Sequence, residues 1–152
     1  MIFIEKIENL SPDIPEQSVE NAAVETLRHQ SAPEDAELTI VLTDDAQLHT
    51  LNCDYLNVDA PTDVLSFPSD QTDPETGSRY LGDILISVER AAAQAAGAGH
   101  AIEAEVQLLV VHGVLHLLGH DHATVDEKVR MWKAQAEILS NLGLGNIEIR
   151  EV

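Results

Sequence analysis

The sequence predicts an α+β fold, in which a small mixed β-sheet is covered by helices. The chain has 152 residues, of which 44% are hydrophobic. This is enough for one sizeable core but short for two domains of ordinary size. Strand-like and helix-like patterns follow one another without repeats or low-complexity linkers. We therefore expect residues 1–152 to form a single domain.

The first third of the chain predicts a strand, a helix and a second strand. Residues 2–7 (IFIEKI) are rich in isoleucine and phenylalanine, which favour β-structure. Pro15 suits the first turn of a helix that runs to about Gln30. Residues 37–43 (ELTIVLT) predict the second strand. A helix is expected over 44–56, because acidic residues open it, where the helix dipole favours them.

Two further strands are expected in the middle of the chain. Residues 62–67 (TDVLSF) and 80–88 (YLGDILISV) are rich in β-formers, and the turn-forming segment PSDQTDPETGS lies between them. Sequential strands joined by such a loop are most simply antiparallel neighbours.

Three helices are expected in the rest of the chain. Ser87 can cap an alanine-rich helix over 89–98, which glycines at 97 and 99 should break. A second helix begins near Ala101. Thr124 and Glu127 form a capping box that opens a final helix to about Leu142. The second helix is expected to bury one apolar stripe, formed by Ile102, Val106, Leu109, Val110, Gly113 and Leu117.

Charge and composition limit the possible partners. The formal net charge is −19, from 27 acidic residues against 8 Lys and Arg, which argues against broad nucleic-acid binding; no DNA partner is expected. No apolar run approaches the roughly 20 residues of a membrane span, and acidic residues stand where a signal peptide is basic. We expect a soluble cytoplasmic protein without a membrane role. Cys53, the single cysteine, is expected to be a small buried residue.

The segment VHGVLHLLGHDH, residues 111–122, contains four of the seven histidines. His112 and His116 are four residues apart, so they point the same way from a helix. Gly119 can end the helix in a left-handed conformation, and His122 can then turn back toward the pair. This spacing is that of three-histidine zinc sites with an open fourth position. It predicts one Zn²⁺ per chain at the end of the central helix.

The alternative is that these histidines are ordinary core residues with hydrogen-bond partners. Several histidines buried among valines and leucines without a ligand would be costly, so we favour the metal. His120, which falls on the turn, is expected to line the site or face solvent, with replacement of His122 as the alternative. His49 stands alone and is expected to be a surface or packed residue.

One position argues against a peptidase. Zinc peptidases of the helical His-Glu type carry a glutamate general base directly after the first histidine. Gly113 occupies that position here.

Three motifs occur in order at compatible spacing: NCDYLNVDAPTDVLSFP, LGDILIS and HGVLHLLGHDH. Together they resemble the YbeY family of bacterial metal-dependent endoribonucleases and rRNA maturation factors, from about Leu51 to Gly143. The resemblance implies a zinc held by His112, His116 and His122. It also implies single-strand-specific cleavage, action in rRNA maturation and ribosome quality control, and ribosomal RNA and ribosome-associated proteins as partners.

The chain departs from the family pattern at two positions. His120 stands where tyrosine is usual, and Leu56 stands where an arginine that meets phosphate is expected. The second departure predicts a slow ribonuclease. Arg79, the only basic residue between Arg28 and Arg90, is a candidate substitute, although an exposed loop arginine is the competing interpretation.

Several polar residues near these motifs have two interpretations. Thr62 and Asp63 could brace a strand-entry turn or orient a metal-bound imidazole, and the same two interpretations apply to Asp83. Asp121 is expected to hold the turn through backbone amides. Glu105 lies about 10 Å along the helix from the first histidine, too far to share its ion. It is expected either to contact a metal ligand without binding the metal, or to be a surface or helix-contact carboxylate.

Three functions are compatible with these observations. The first is a zinc-dependent endoribonuclease. The second is a zinc-stabilised ribosome-assembly factor with little catalysis, which Leu56 and the acidic charge favour. The third is a metal-dependent hydrolase of another substrate such as a peptide, which Gly113 disfavours.

Overall fold

A computed structural model describes residues 1–149 and shows a single-domain α+β fold, as predicted. Four strands and five helices are described in this range. They are β1 (Ile2–Lys6), α1 (Glu16–His29), β2 (Glu37–Thr43), α2 (Asp45–Leu56), β3 (Val64–Pro68), β4 (Tyr80–Ser87), α3 (Val88–Ala98), α4 (Ile102–Leu117) and α5 (Val125–Asn141).

The sheet is mixed, with strand order β1-β2-β4-β3. β1 pairs with β2, and β2 with β4, in parallel. β3 pairs with β4 antiparallel, and Ser66 lies opposite Ile84. The expected antiparallel pairing of these two strands is therefore confirmed.

Helix α4 lies at the centre of the molecule, between the sheet and helices α1, α3 and α5. It is buried on nearly all sides from Ala104 to Leu117, so the prediction of one buried stripe was too narrow. The approach to the sheet is close at Gly113, where a Cβ atom would lie 2.8 Å from Cγ2 of Ile84. Glycine at this position lets the helix rest on β4.

Helix α2 covers part of the opposite face of the sheet, where Leu48 packs with Leu65 and Leu85. Cys53 is exposed, so the prediction of a buried cysteine was wrong. Only Leu48 and Asn52 of this helix are buried, and Cys53 is rotated about 100° away from Asn52 around the axis.

The helix termini follow the sequence signals. Ser87 Oγ accepts from the backbone N–H of Arg90, and Thr124 Oγ1 accepts from that of Glu127, both at 3.2 Å. Gly97, however, continues α3, and only Gly99, with φ +78°, ends it. Among the helices described within residues 1–149, none is long and apolar enough to cross a membrane.

Candidate metal centre

The end of α4 turns the chain back on itself. Gly119 has φ +99°, and its N–H donates to the carbonyl of His116 at 3.0 Å. The next N–H, that of His120, donates to Leu115 O at 3.0 Å. This pair of bonds is the Schellman arrangement, which needs a residue that tolerates positive φ. The reversal brings His122 back to the side of α4 that carries His112.

The three predicted histidines meet at this point. One ring nitrogen from each of His112, His116 and His122 lies within 4.8 Å of the others. The Nε2 atoms of His112 and His116 are 3.0 Å apart. Two nitrogens bound to one tetrahedral zinc at 2.0–2.1 Å would be about 3.3 Å apart. The cluster therefore fits a single metal ion with little movement, although the ligand roles themselves stay predictions.

The surroundings keep the imidazoles of His112 and His116 neutral. His112 is 4% exposed, and burial, with the neighbouring His116 and His122, lowers its pKa to about 3. Burial and the charge of His122 also lower the pKa of His116. Only the neutral ring can bind a metal ion. At neutral pH both α4 histidines thus hold a lone pair ready for coordination.

Residues from the turn and from α5 support the cluster. Asp121 Oδ1 accepts from the backbone N–H of His122 at 2.7 Å, as expected for an aspartate that holds a turn. Trp132 packs edge-on against His122, with ring centroids 5.8 Å apart. Gln135 Oε1 lies 3.2 Å from His112 Nδ1. Trp132 and Gln135 were not predicted from the sequence, because only their spacing on the inner side of a distant helix could have indicated them.

A cavity of about 430 Å³ opens in front of the histidines. Leu56 stands on its rim and is 53% exposed. Within the described residues, its lining contains no lysine or arginine. The lining residues are Leu56, Thr62, Asp63, Val64, Leu65, Ser66, Pro68, His112, His116, Gly119, His120, Asp121 and His122.

Arg79 is not among the residues that line this cavity. It is exposed, and it forms an isolated β-bridge with Thr72 at the base of the β3–β4 loop. The structure thus does not bring the candidate substitute to the histidines, and it matches the interpretation of an exposed loop arginine.

The two other histidines considered from sequence lie as expected. His120 lines the cavity, and its Nε2 is 2.7 Å from Gln30 Oε1. It is not part of the three-histidine cluster found among residues 1–149. His49 is a surface residue whose Nε2 lies 2.7 Å from Asp59 Oδ1.

The acidic residues with two interpretations have partners outside the three-histidine cluster. Asp63 is 4% exposed, and it accepts from Gln94 Nε2 at 3.2 Å. Burial raises its pKa. Asp83 accepts from the hydroxyl of Tyr80, and Glu105 is buried with its Oε1 2.7 Å from His100 Nε2. The loop-bracing interpretation of Asp63 and the helix-contact interpretation of Glu105 fit these contacts.

Thr62 also braces the loop, because its hydroxyl donates to the carbonyl of Val64 at 3.5 Å. Together with Asp63, it fixes the entry to β3, one wall of the cavity.

Comparison with known proteins gives a consistent result. A family model described as endoribonuclease YbeY matches residues 4–143. The endoribonuclease YbeY of Roseiflexus castenholzii is 51% identical over 132 residues, which cover 83% of this chain and 82% of that protein. That of Agathobacter rectalis is 37% identical over 160 residues, covering 93% and 97%.

A solved structure shows the same fold. The solution structure of TM1509 (VT1) from Thermotoga maritima matches with a TM-score of 0.58 at 22% identity, covering 94% of this chain and 92% of that one. At this identity the match supports the architecture alone. The family model spans both the cavity wall and the histidine turn, and with the identity to the curated relatives it shows that the chain belongs to the endoribonuclease YbeY family.

Proposed function

We propose that this protein is a zinc-dependent, single-strand-specific endoribonuclease that acts on ribosomal RNA in rRNA maturation and ribosome quality control in the cytoplasm. The observation that carries the proposal is the convergence of His112, His116 and His122 beside an open cavity in a chain of this family. The relatives are named endoribonucleases. That name supports cleavage within an RNA strand.

Zinc is the proposed metal because the donor set consists of three imidazole nitrogens. Imidazole suits zinc and its first-row neighbours, whereas magnesium and calcium prefer oxygen ligands. Three protein ligands leave a fourth position for water or substrate. When bound there, zinc would supply a Lewis acid that polarises a phosphoryl oxygen and acidifies a water.

The protein side chains have separable tasks around that ion. His112 and His116 present neutral nitrogens from a rigid, buried helix. His122 is brought in by the turn, which Asp121 holds. The wall formed by Thr62, Asp63 and Val64 limits the space beside the histidines. This arrangement would position a phosphodiester by shape and by a bound metal, since the lining described within residues 1–149 supplies no cationic side chain of its own.

An exposed aromatic ring next to Leu56 in the chain supports a preference for unpaired RNA. Tyr55 is 68% exposed, and its ring meets Phe67 edge-on with centroids 5.9 Å apart. Unpaired bases can stack on an exposed aromatic ring, whereas the bases of a duplex are already stacked. We infer that Tyr55 offers such a ring to a single strand.

Partner proteins would help to bring the RNA to this site. Among residues 1–149, two cations near it lie on α5. One is Lys128, which lies 5.4 Å from the centroid of Trp132. Arg130 borders the adjoining pocket with His120 and Asp121. Against a net charge of −19, these residues support only weak electrostatic attraction to RNA. Association with the ribosome or with ribosome-associated proteins would supply the missing affinity.

One observation favours a second function, a ribosome-assembly factor that needs zinc for stability and cleaves little. Leu56 lines the cavity, at the position where the family resemblance implies an arginine that meets phosphate. A peptidase is disfavoured more strongly. Position 113 holds a glycine packed against Ile84, so a glutamate there would clash with β4.

Cleavage of one defined RNA separates these functions. The zinc-loaded protein is compared with His116→Ala on a single-stranded RNA and on the same sequence in a duplex. We expect the parent protein to cut the single strand and His116→Ala to cut neither. Equal cutting by both proteins would contradict the metal-dependent mechanism, and no cutting by either would favour the assembly factor.

A further inference from the structure

Gln135 is a polar side chain in an apolar position of α5. It is 1% exposed, and it lies between Met131, Ile138 and Leu139, which are buried on the same helix. Its Nε2 is buried and has no hydrogen-bond partner among residues 1–149. A buried amide nitrogen without a partner destabilises a fold. An apolar side chain of similar size would avoid that cost. The presence of an amide here therefore points to a role for its oxygen, Oε1.

That oxygen faces the metal cluster. Oε1 lies 3.2 Å from Nδ1 of His112, and the opposite nitrogen of the same ring, Nε2, faces Nε2 of His116 at 3.0 Å. An amide oxygen can only accept a hydrogen bond. Nδ1 of His112 must therefore carry the proton, which leaves Nε2 with a lone pair directed at the centre of the cluster.

The reverse orientation of the amide is incompatible with metal binding. If Nε2 of Gln135 faced the ring, Nδ1 would have to be the acceptor and the ring proton would sit on Nε2. That proton would then point at His116 and block coordination. The assigned orientation is the one in which the buried contact and a metal-binding lone pair coexist.

We propose that Gln135 is a positioning residue that fixes the Nδ1–H tautomer and the ring orientation of His112 for metal binding. The inference rests on the proposed metal site and adds a residue from a different helix to it. The side chain of His116 interacts instead with the backbone of His120, in the turn that follows α4. The docking of α5 on α4 is thus coupled to the geometry of one ligand. Loss of such an outer partner typically weakens metal binding 10- to 100-fold.

Three variants test the proposal. Gln135→Met keeps the volume and removes the oxygen, Gln135→Glu restores an acceptor, and Met131→Leu, one turn away on the buried side, is the matched packing control. The zinc dissociation constant is measured by competition with a chromophoric chelator. Melting of the metal-free proteins is recorded in parallel. The tautomer of His112 in the metal-free parent is read from its imidazole ¹⁵N shifts.

We expect Gln135→Met to bind zinc 10- to 100-fold more weakly while its metal-free form melts no lower than the parent. Gln135→Glu should recover most of the affinity, and Met131→Leu should bind as the parent does. The parent should show the Nδ1–H tautomer. An Nε2–H tautomer, or unchanged affinity in Gln135→Met, would overturn the proposal.

Failure of the proposed function can be distinguished from failure of the role proposed for Gln135. If the parent binds no zinc, the proposed function fails, whereas the tautomer of the metal-free protein still decides whether Gln135 sets the proton on His112. If Gln135→Glu does not fold, the zinc affinity of Gln135→Met and the tautomer of His112 in the parent still decide the outcome.

Discussion

Replacing Leu56 with arginine should convert a slow ribonuclease into a faster one. Leu56 is the last residue of α2 and lines the cavity in front of the histidines. An arginine there can reach a phosphate with a bidentate, charge-assisted contact, which leucine cannot make. A donor of this kind typically contributes on the order of 10²–10³ in rate. We expect a gain of that order.

The fold should tolerate this change. Leu56 is 53% exposed, and burying a whole leucine contributes about 1.5–3 kcal/mol, so about 1 kcal/mol is at risk. The arginine stem keeps part of that contact. The last turn of α2 has no basic residue, and a cation at a helix C-terminus contributes about 0.3–1 kcal/mol. The net change in the free energy of unfolding should be close to zero.

The assay is cleavage of one single-stranded RNA at fixed salt by zinc-loaded proteins. Val58→Arg is the matched control, because Val58 is also apolar and 45% exposed but is not among the residues lining the cavity. Arg79→Ala tests the candidate substitute and should cleave as the parent does. If Leu56→Arg folds, binds zinc and gains no more than Val58→Arg, the reasoning about the missing phosphate contact is refuted.

Three further predictions concern stability. Chelation at neutral pH should lower the melting temperature, because zinc at 100 times its dissociation constant contributes about 2.7 kcal/mol. Acid should release the metal as the imidazoles protonate, and the lowered pKa values of His112 and His116 place that release below the pKa of free histidine, about 6.5. A calorimetric melt that chelator leaves unchanged would contradict this. Burial raises the pKa of Asp63 in the folded state above its value in the unfolded chain. The free energy of unfolding therefore falls as the pH rises from the unfolded pKa through the folded pKa, because the carboxyl group then ionises while buried. Asp63→Asn should remove that loss and unfold at higher urea at pH 7, whereas equal urea midpoints at pH 7 would show that no buried charge is relieved. Gly113→Ala places Cβ 2.8 Å from Ile84 Cγ2 and should lower the free energy of unfolding, since overpacking costs about 1–3 kcal/mol and replacing a glycine within a helix recovers only about 1 kcal/mol. The double variant with Ile84→Ala should lose less stability than the sum of the two single losses, and strict additivity would rule out the clash.

The histidine site could be predicted largely because it is local in sequence. Helical spacing, a glycine that accepts positive φ and a returning histidine fix its geometry within the eleven residues from His112 to His122. The strands and helix caps followed from similarly local signals, such as Ser87 and Thr124.

The rest depends on tertiary packing, which one sequence does not display. Gln135 is 23 residues from its partner His112, and it is placed only by the packing of α5 on α4. The all-round burial of α4 depends on three helices and a sheet closing around it. Cys53 was assigned to the wrong side because α2 buries little of its surface, so its weakly amphipathic pattern gives no direction.

The most direct test of the central claim is a zinc titration of the metal-free protein, in which RNA cleavage is measured at each addition. The three-histidine site predicts that cleavage is absent without metal, rises in proportion to zinc and saturates at one equivalent per chain, while His116→Ala stays inactive throughout. Full cleavage by the metal-free protein, or the same rise in His116→Ala, would contradict it.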